Sequence, residues 1–282
     1  MSATAPVESG RMTTARGVDL EYRVTGEGPT IAFVNSFFMP AAGWGACTTT
    51  LRERNRLLTY DLGPDGWSGK DVAEFDAYVA DLDELFDELH VDDAYILGHS
   101  SGSQVAVAYA AAHPERVRGL VLVGPLVNPT GGERRRALVD AWRSAYLAGG
   151  FEELFDSLWW LVHSEATLRR AGRMGHRILR SRFVEMNSGT NPLPLFALSD
   201  THQVEFAPDW DAIDMPTLLL TGEDDCVATA SCLRETGELL RASRLVLVPR
   251  AGHMLYVEAA DAFQEEVQRF VDGVEGDAVT SS

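Results

Sequence analysis

Short apolar runs alternate with helical patterns along most of this chain. Thr30–Val34 (TIAFV), Arg56–Tyr60 (RLLTY), Ala94–Leu97 (AYIL), Leu120–Val123 (LVLV), Thr217–Leu220 (TLLL) and Leu245–Val248 (LVLV) are continuous, and Gly, Pro or Asp bounds them. Runs without a polar face predict buried strands of a parallel sheet. Arg11–Ala15 and Val18–Val24 predict an antiparallel hairpin leading into it. Between the runs, Phe75, Tyr78, Val79, Leu82, Leu85, Phe86 and Leu89 recur at helical spacing and predict a helix over Val72–His90. Ser101–His113 is rich in small residues, as a helix pressed against a sheet would be, and Ala259–Val271 predicts a closing amphipathic helix. Such alternation implies an α/β fold, a mostly parallel central sheet with helices on both faces.

One stretch breaks the rhythm. Leu126–Asp214 contains no convincing strand, but has helical patterns around Glu133–Leu147, Phe151–Val162 and Glu165–Val184 and a cluster of Trp and Phe. A structureless loop of that length is improbable, so a helical insertion over the sheet is expected. The expected organisation is a core of residues 11–125 and 215–272, an inserted cap of residues 126–214, and flexible termini at 1–10 and 273–282, where the sequence is small and polar.

The charge removes several classes of function. With 24 basic and 42 acidic residues the net charge is −18, which disfavours phosphate backbones and anionic lipid, so neither a nucleic-acid nor a membrane partner is expected. No apolar run approaches the roughly 20 residues that span a bilayer, and the opening residues show no signal-peptide pattern. Cys47, Cys226 and Cys232 are odd in number and lack metal-ligand spacing, which fits a reducing cytoplasm and no metal site.

The sharpest chemical signal is Gly98-His99-Ser100-Ser101-Gly102. It follows one predicted strand and opens a small-residue helix, the context in which G-x-S-x-G raises a serine on a tight turn. That turn puts Ser100 at the carboxyl end of the sheet, where α/β folds bind ligands. A serine needs a base. Of seven histidines, His253 lies just past the last predicted strand, on the same sheet edge. His99 should point away from the turn and pack; His90 and His113 fall at helix ends; His163, His176 and His202 lie in the insertion. The base in turn needs an acid to fix its tautomer. Glu223, Asp224 and Asp225 all follow the strand Thr217–Leu220, and the pattern alone does not choose between them.

Together GHSSG at 98–102, HPERVRGLVLVGP at 113–125, MPTLLLTGEDD at 215–225 and AGHMLYVEAADAF at 251–263 resemble the α/β-hydrolase fold superfamily over residues 11–272. The resemblance implies a Ser100–Asp225–His253 triad, since the family acid stands third after the Gly of G-x-x-D. It also implies an oxyanion hole of the Phe37 and Ser101 N–H groups, and a cap after the sixth strand. Two places depart from the family pattern. Asn35-Ser36 replaces His-Gly, and with Trp44 it is similar to the oxoadipate enol-lactonases; the loop Asp61–Gly69 (DLGPDGWSG) lacks its usual Arg. A serine in place of that glycine is expected to hold an ordinary negative φ. Phe38, Trp142, Trp159, Trp160 and Met254 are candidate substrate-binding residues. The expected activity is cofactor-free hydrolysis of an ester, lactone or thioester of a small-molecule acyl substrate. The alternatives are acyl release or cyclisation, carbon–carbon bond cleavage, and a receptor-like ligand binder.

Overall fold

The computed structural model of the chain describes residues 7–36, 38–62, 75–127, 132–193, 196 and 207–280. Eight strands form one sheet: β1 (Val7–Thr13), β2 (Asp19–Thr25), β3 (Thr30–Val34), β4 (Arg56–Leu62), β5 (Ala94–His99), β6 (Val117–Val123), β7 (Thr217–Gly222) and β8 (Ser243–Val248). Their spatial order is β1-β2-β4-β3-β5-β6-β7-β8. β1 pairs antiparallel with β2, and β2 with β4; all pairs from β4 to β8 are parallel.

The continuous apolar runs are explained by a sheet covered on both faces. Successive side chains of a strand point to opposite faces. Ile31, Phe33, Tyr95, Leu97, Val121 and Leu218 pack on one side with Phe263 and Val267. Ala32, Val34, Ile96, Leu120, Leu122 and Leu219 pack on the other with Leu82, Phe86, Val105 and Leu233. The covering helices are α1 (Phe75–Glu88), α2 (Gly102–Ala112), α5 (Ala230–Leu239) and the last helix, α6 (Ala260–Thr280), while α3 (Gly132–Val162) and α4 (Glu165–Asn187) follow β6 in the chain and pack against each other. A single turn, Leu255–Glu258, precedes α6.

α3 is interrupted at Gly149-Gly150, where Gly150 has φ 68°, and α4 at Gly172, with φ 54°. Glycine alone takes such angles at little cost, so these breaks let each helix change direction. Ser164 caps α4 by accepting the Thr167 N–H. Val139, Leu154 and Phe196 form a small core of this region, with Phe38, Trp142, Phe151 and Phe183 against it.

The ends differ from expectation. β1 begins at Val7, so residues 7–10 belong to the sheet rather than to a flexible terminus. Its polar residues are explained by its place at the edge, paired only with β2. α6 likewise continues to Thr280, past the Gly273 where fraying is expected. Residues 63–74, and with them most of the Asp61–Gly69 loop, lie outside the described residues, as do the expected helix start at Val72 and His202.

Candidate active site

The turn between β5 and α2 shows why its glycines are required. Ser100 has φ 53°, a left-handed angle that costs a non-glycine residue about 1–2 kcal/mol. Its N–H is held by the Val123 carbonyl at 2.9 Å. A Cβ on Gly98 would stand 2.7 Å from Ser103 Cα, and one on Gly102 would stand 2.4 Å from the Val34 carbonyl oxygen. Either side chain would push the turn off the sheet. The Ser103 hydroxyl donates to the Ser100 carbonyl and accepts from the Leu126 N–H at 3.0 Å.

Three expected residues meet here from three separate strand ends. His253 Nε2 lies 2.9 Å from Ser100 Oγ, and His253 Nδ1 lies 2.8 Å from Asp225 Oδ2. The carboxylate can only accept, so Nδ1 carries the proton and Nε2 presents its lone pair to the hydroxyl. All three residues are buried. Of the three acids after β7, Glu223 and Asp224 are exposed whereas the Asp225 side chain is sealed and faces His253. Asp225 Oδ1 accepts the N–H groups of Val227 (2.7 Å) and Ala228 (2.8 Å), and Oδ2 accepts the Thr221 hydroxyl (2.5 Å) as well as the imidazole. Four donors thus hold a buried carboxylate in one orientation. Gly124, with φ 52°, clears the way for the imidazole: a Cβ there would stand 2.8 Å from His253 Nδ1.

His99 packs, as expected. Its ring meets Tyr256 edge-on with centroids 4.8 Å apart, and burial pushes its basicity well below that of free histidine. The neutral ring's Nε2–H points to the His253 carbonyl at 3.4 Å. His163 is also pushed down by burial, against the opposing pull of Glu258.

Asn35 and Trp44 have a role that sequence reasoning left open. Asn35 donates to the Tyr60 carbonyl (3.0 Å) and to Asp61 Oδ1 (3.2 Å), and accepts the Trp44 indole N–H at 2.7 Å. Asp61 Oδ1 also takes the Ala41 N–H at 2.8 Å, and burial raises the carboxyl above the usual range. This network brackets the loop after β3. Ser36 is not among the described non-glycine residues with positive φ, in line with expectation; Phe38, with φ 64°, is. Phe37, expected to give an oxyanion donor, lies outside the described residues. Ser101, at the N-cap of α2, borders the cavity.

A cavity of roughly 460 Å³ opens above Ser100. Phe38, Trp142, Trp159 and Met254 line it, together with Phe155, Leu158, Phe183 and others. Trp160 does not: it is 59% exposed. Neighbours on a helix point about 100° apart, so the inward stripe through Phe155, Leu158 and Trp159 leaves Trp160 on the outer face. Among the described residues no group of three His, Cys, Asp or Glu is placed to hold a metal ion, and no helix is long and apolar enough to cross a membrane.

Comparison with known proteins agrees with this architecture. The sequence pattern of the alpha/beta hydrolase fold matches residues 46–260. The chain is 27% identical to N-formylmaleamate deformylase of Pseudomonas putida, over 94% of this chain and 97% of that one. It is 24% identical to 2-hydroxy-6-oxo-2,4-heptadienoate hydrolase of the same species, over 94% and 96%. The enol-lactonase of Burkholderia xenovorans superposes with a TM-score of 0.74 at 22% identity, over 93% of this chain and all of that one, a likeness of fold. A hydrolase sheet order, a serine on a left-handed turn and a matching family pattern over most of the length lead to one conclusion: the chain belongs to the alpha/beta hydrolase fold family.

Proposed function

We propose that this hydrolase cleaves an ester, lactone or thioester of a medium-sized, largely apolar substrate through an acyl-enzyme on Ser100, without a cofactor. The observation that carries this reading is the unbroken line from Ser100 through His253 to Asp225, opening into an apolar cavity. His253 takes the hydroxyl proton through Nε2 as Ser100 Oγ attacks the acyl carbon, and Asp225 stabilises the imidazolium that forms. Negative charge then develops on the carbonyl oxygen. The Ser101 N–H, at the positive end of α2, is one donor for it, and the Phe37 N–H is the second that the family likeness implies. His253 returns the proton to the leaving group, and water attacks the acyl-enzyme with His253 again as base. Residues 126–214 act as a cap that walls the acyl pocket. Acyl release or carbon–carbon bond hydrolysis on the same residues is the second reading, supported by the likeness to the heptadienoate hydrolase.

The test is a fluorophosphonate probe together with a screen of short esters, lactones and acyl thioesters. The probe should label wild type at Ser100 and leave Ser100→Ala unlabelled. Turnover of Ser100→Ala should fall by about 10⁶-fold, the scale on which triad serines matter. Retention of more than about a tenth of the rate would overturn the serine mechanism, since that is under 1.4 kcal/mol of barrier. An unlabelled wild type that still binds ligand would point instead to a receptor-like member of the fold.

A further inference from the structure

The cavity above Ser100 is walled mainly by aromatic and aliphatic side chains, and one buried amide interrupts them. Gln104 stands on α2 four residues past Ser100. It is 4% exposed and borders the cavity beside Ser100 and Ser101. Its backbone N–H bonds to the Ser101 carbonyl at 3.1 Å as the helix begins. Among the described residues its side-chain amide makes no hydrogen bond, and it stands on the cavity wall without being one of the fully sealed polar groups. An amide on a cavity wall loses its water when a ligand fills the space and is then unfavourable unless the ligand offers it a partner, whereas leucine or methionine in the same place carries no such penalty. Two further residues of the cavity wall carry sealed nitrogens without partners, Trp142 Nε1 and His163 Nδ1. Polar capacity has therefore been placed around an apolar space that the protein itself does not use.

We propose that Gln104 is a specificity-determining residue. Its amide bonds an oxygen function on the second or third carbon of the acyl group, so hydroxy-acyl and oxo-acyl substrates are preferred to plain alkyl ones. The inference rests on the reading that Ser100 attacks an acyl carbon. A helix rises about 1.5 Å per residue, which places Gln104 a few ångströms along α2 from the serine. Its side chain then meets the substrate a few bonds from the reacting carbonyl rather than at that carbonyl. An amide both donates and accepts, so it serves a hydroxyl in either sense and a ketone as donor. A site that offers such a partner also rejects the analogue that lacks it, because the amide is then left dry and unpaired.

The test is binding to Ser100→Ala, which requires no turnover. Ethyl hexanoate and its 2-hydroxy, 3-hydroxy and 3-oxo counterparts are titrated by calorimetry into Ser100→Ala, and into Ser100→Ala carrying Gln104→Leu. At least one oxygenated ester should bind the first protein about tenfold more tightly than ethyl hexanoate, and that preference should fall below about threefold in the second. No preference in Ser100→Ala, or one that survives Gln104→Leu, overturns the proposal. The thermal midpoint of Gln104→Leu should equal or exceed that of its parent, since an unpaired buried amide has been removed. A fall of several degrees would show that the amide has a partner within the protein, and would overturn the proposal as well. Failure of the serine mechanism has a different signature: wild type stays unlabelled by fluorophosphonate while the binding preference persists.

Discussion

At the scale of single residues, the site depends on which groups water can reach. Glu223, Asp224 and Asp225 are adjacent and chemically near-identical, yet only Asp225 is sealed and bonded by four donors. Asp225→Asn should keep the fold but present an amide to Nδ1, favouring the wrong imidazole tautomer, with a loss in kcat of about 10⁴-fold. Asp224→Asn, on an exposed side chain, should stay within about threefold of wild type; steady-state rates on one ester rank the pair, and the reverse order would assign the acid elsewhere. The same distinction explains what could be read in advance. Gly98 and Gly102 were legible because a turn this tight excludes side chains, and the spacing of two glycines records it. The acid was not, because burial distinguishes three carboxylates that pattern treats alike; only the family likeness selected Asp225. Gln104 was hidden for a related reason: a polar residue on an alanine-rich helix reads as an ordinary surface position until its surroundings are known.

At the scale of elements, strands were more legible than the segment above them. A strand covered on both faces must be apolar throughout, so β3, β5, β6 and β7 announce themselves. α3 places apolar side chains all round its last turns, with Leu158, Trp159, Trp160 and Leu161 in succession, so periodicity cannot say which of them faces the cavity. β1 was under-read because an edge strand needs no apolar face. How the insertion is fastened was equally invisible. Glu258 Oε2 accepts both the N–H (3.0 Å) and the hydroxyl (2.5 Å) of Ser164, where α4 begins, while its Oε1 accepts the Gly252 N–H at 3.2 Å. The Met254 N–H bonds to the Val162 carbonyl at 3.1 Å beside it. The joint between α3 and α4 is thereby tied to the loop that carries His253. Hydrogen bonds to a charged group contribute about 1.5–3 kcal/mol, so Glu258→Ala should lower the unfolding free energy by about 2 kcal/mol in urea titration. Glu258→Gln, which keeps one acceptor, should lose less. A loss below about 0.5 kcal/mol in Glu258→Ala would mean the clamp is idle.

At the scale of the whole molecule, the line of three side chains gathers residues from distant parts of the chain. Ser100 and His253 are separated by 153 positions, and the strands that aim them, β5 and β8, are held apart by β6 and β7. The order in which they become available is set by synthesis. At roughly 5–20 residues per second Ser100 leaves the ribosome roughly 8–30 seconds before His253. On the proposed mechanism the serine has no base until β8 joins β7, and its hydroxyl stays a poor nucleophile. A ribosome-bound chain stalled at residue 240 should therefore resist fluorophosphonate, whereas one stalled beyond residue 282 by a linker long enough to free α6 should be labelled at Ser100. Labelling of the shorter nascent chain would show that another group can activate the serine. On the proposed mechanism, an enzyme assembled in this order stays silent while its own pocket is half-built and its apolar surfaces are open to whatever acyl compounds surround the ribosome.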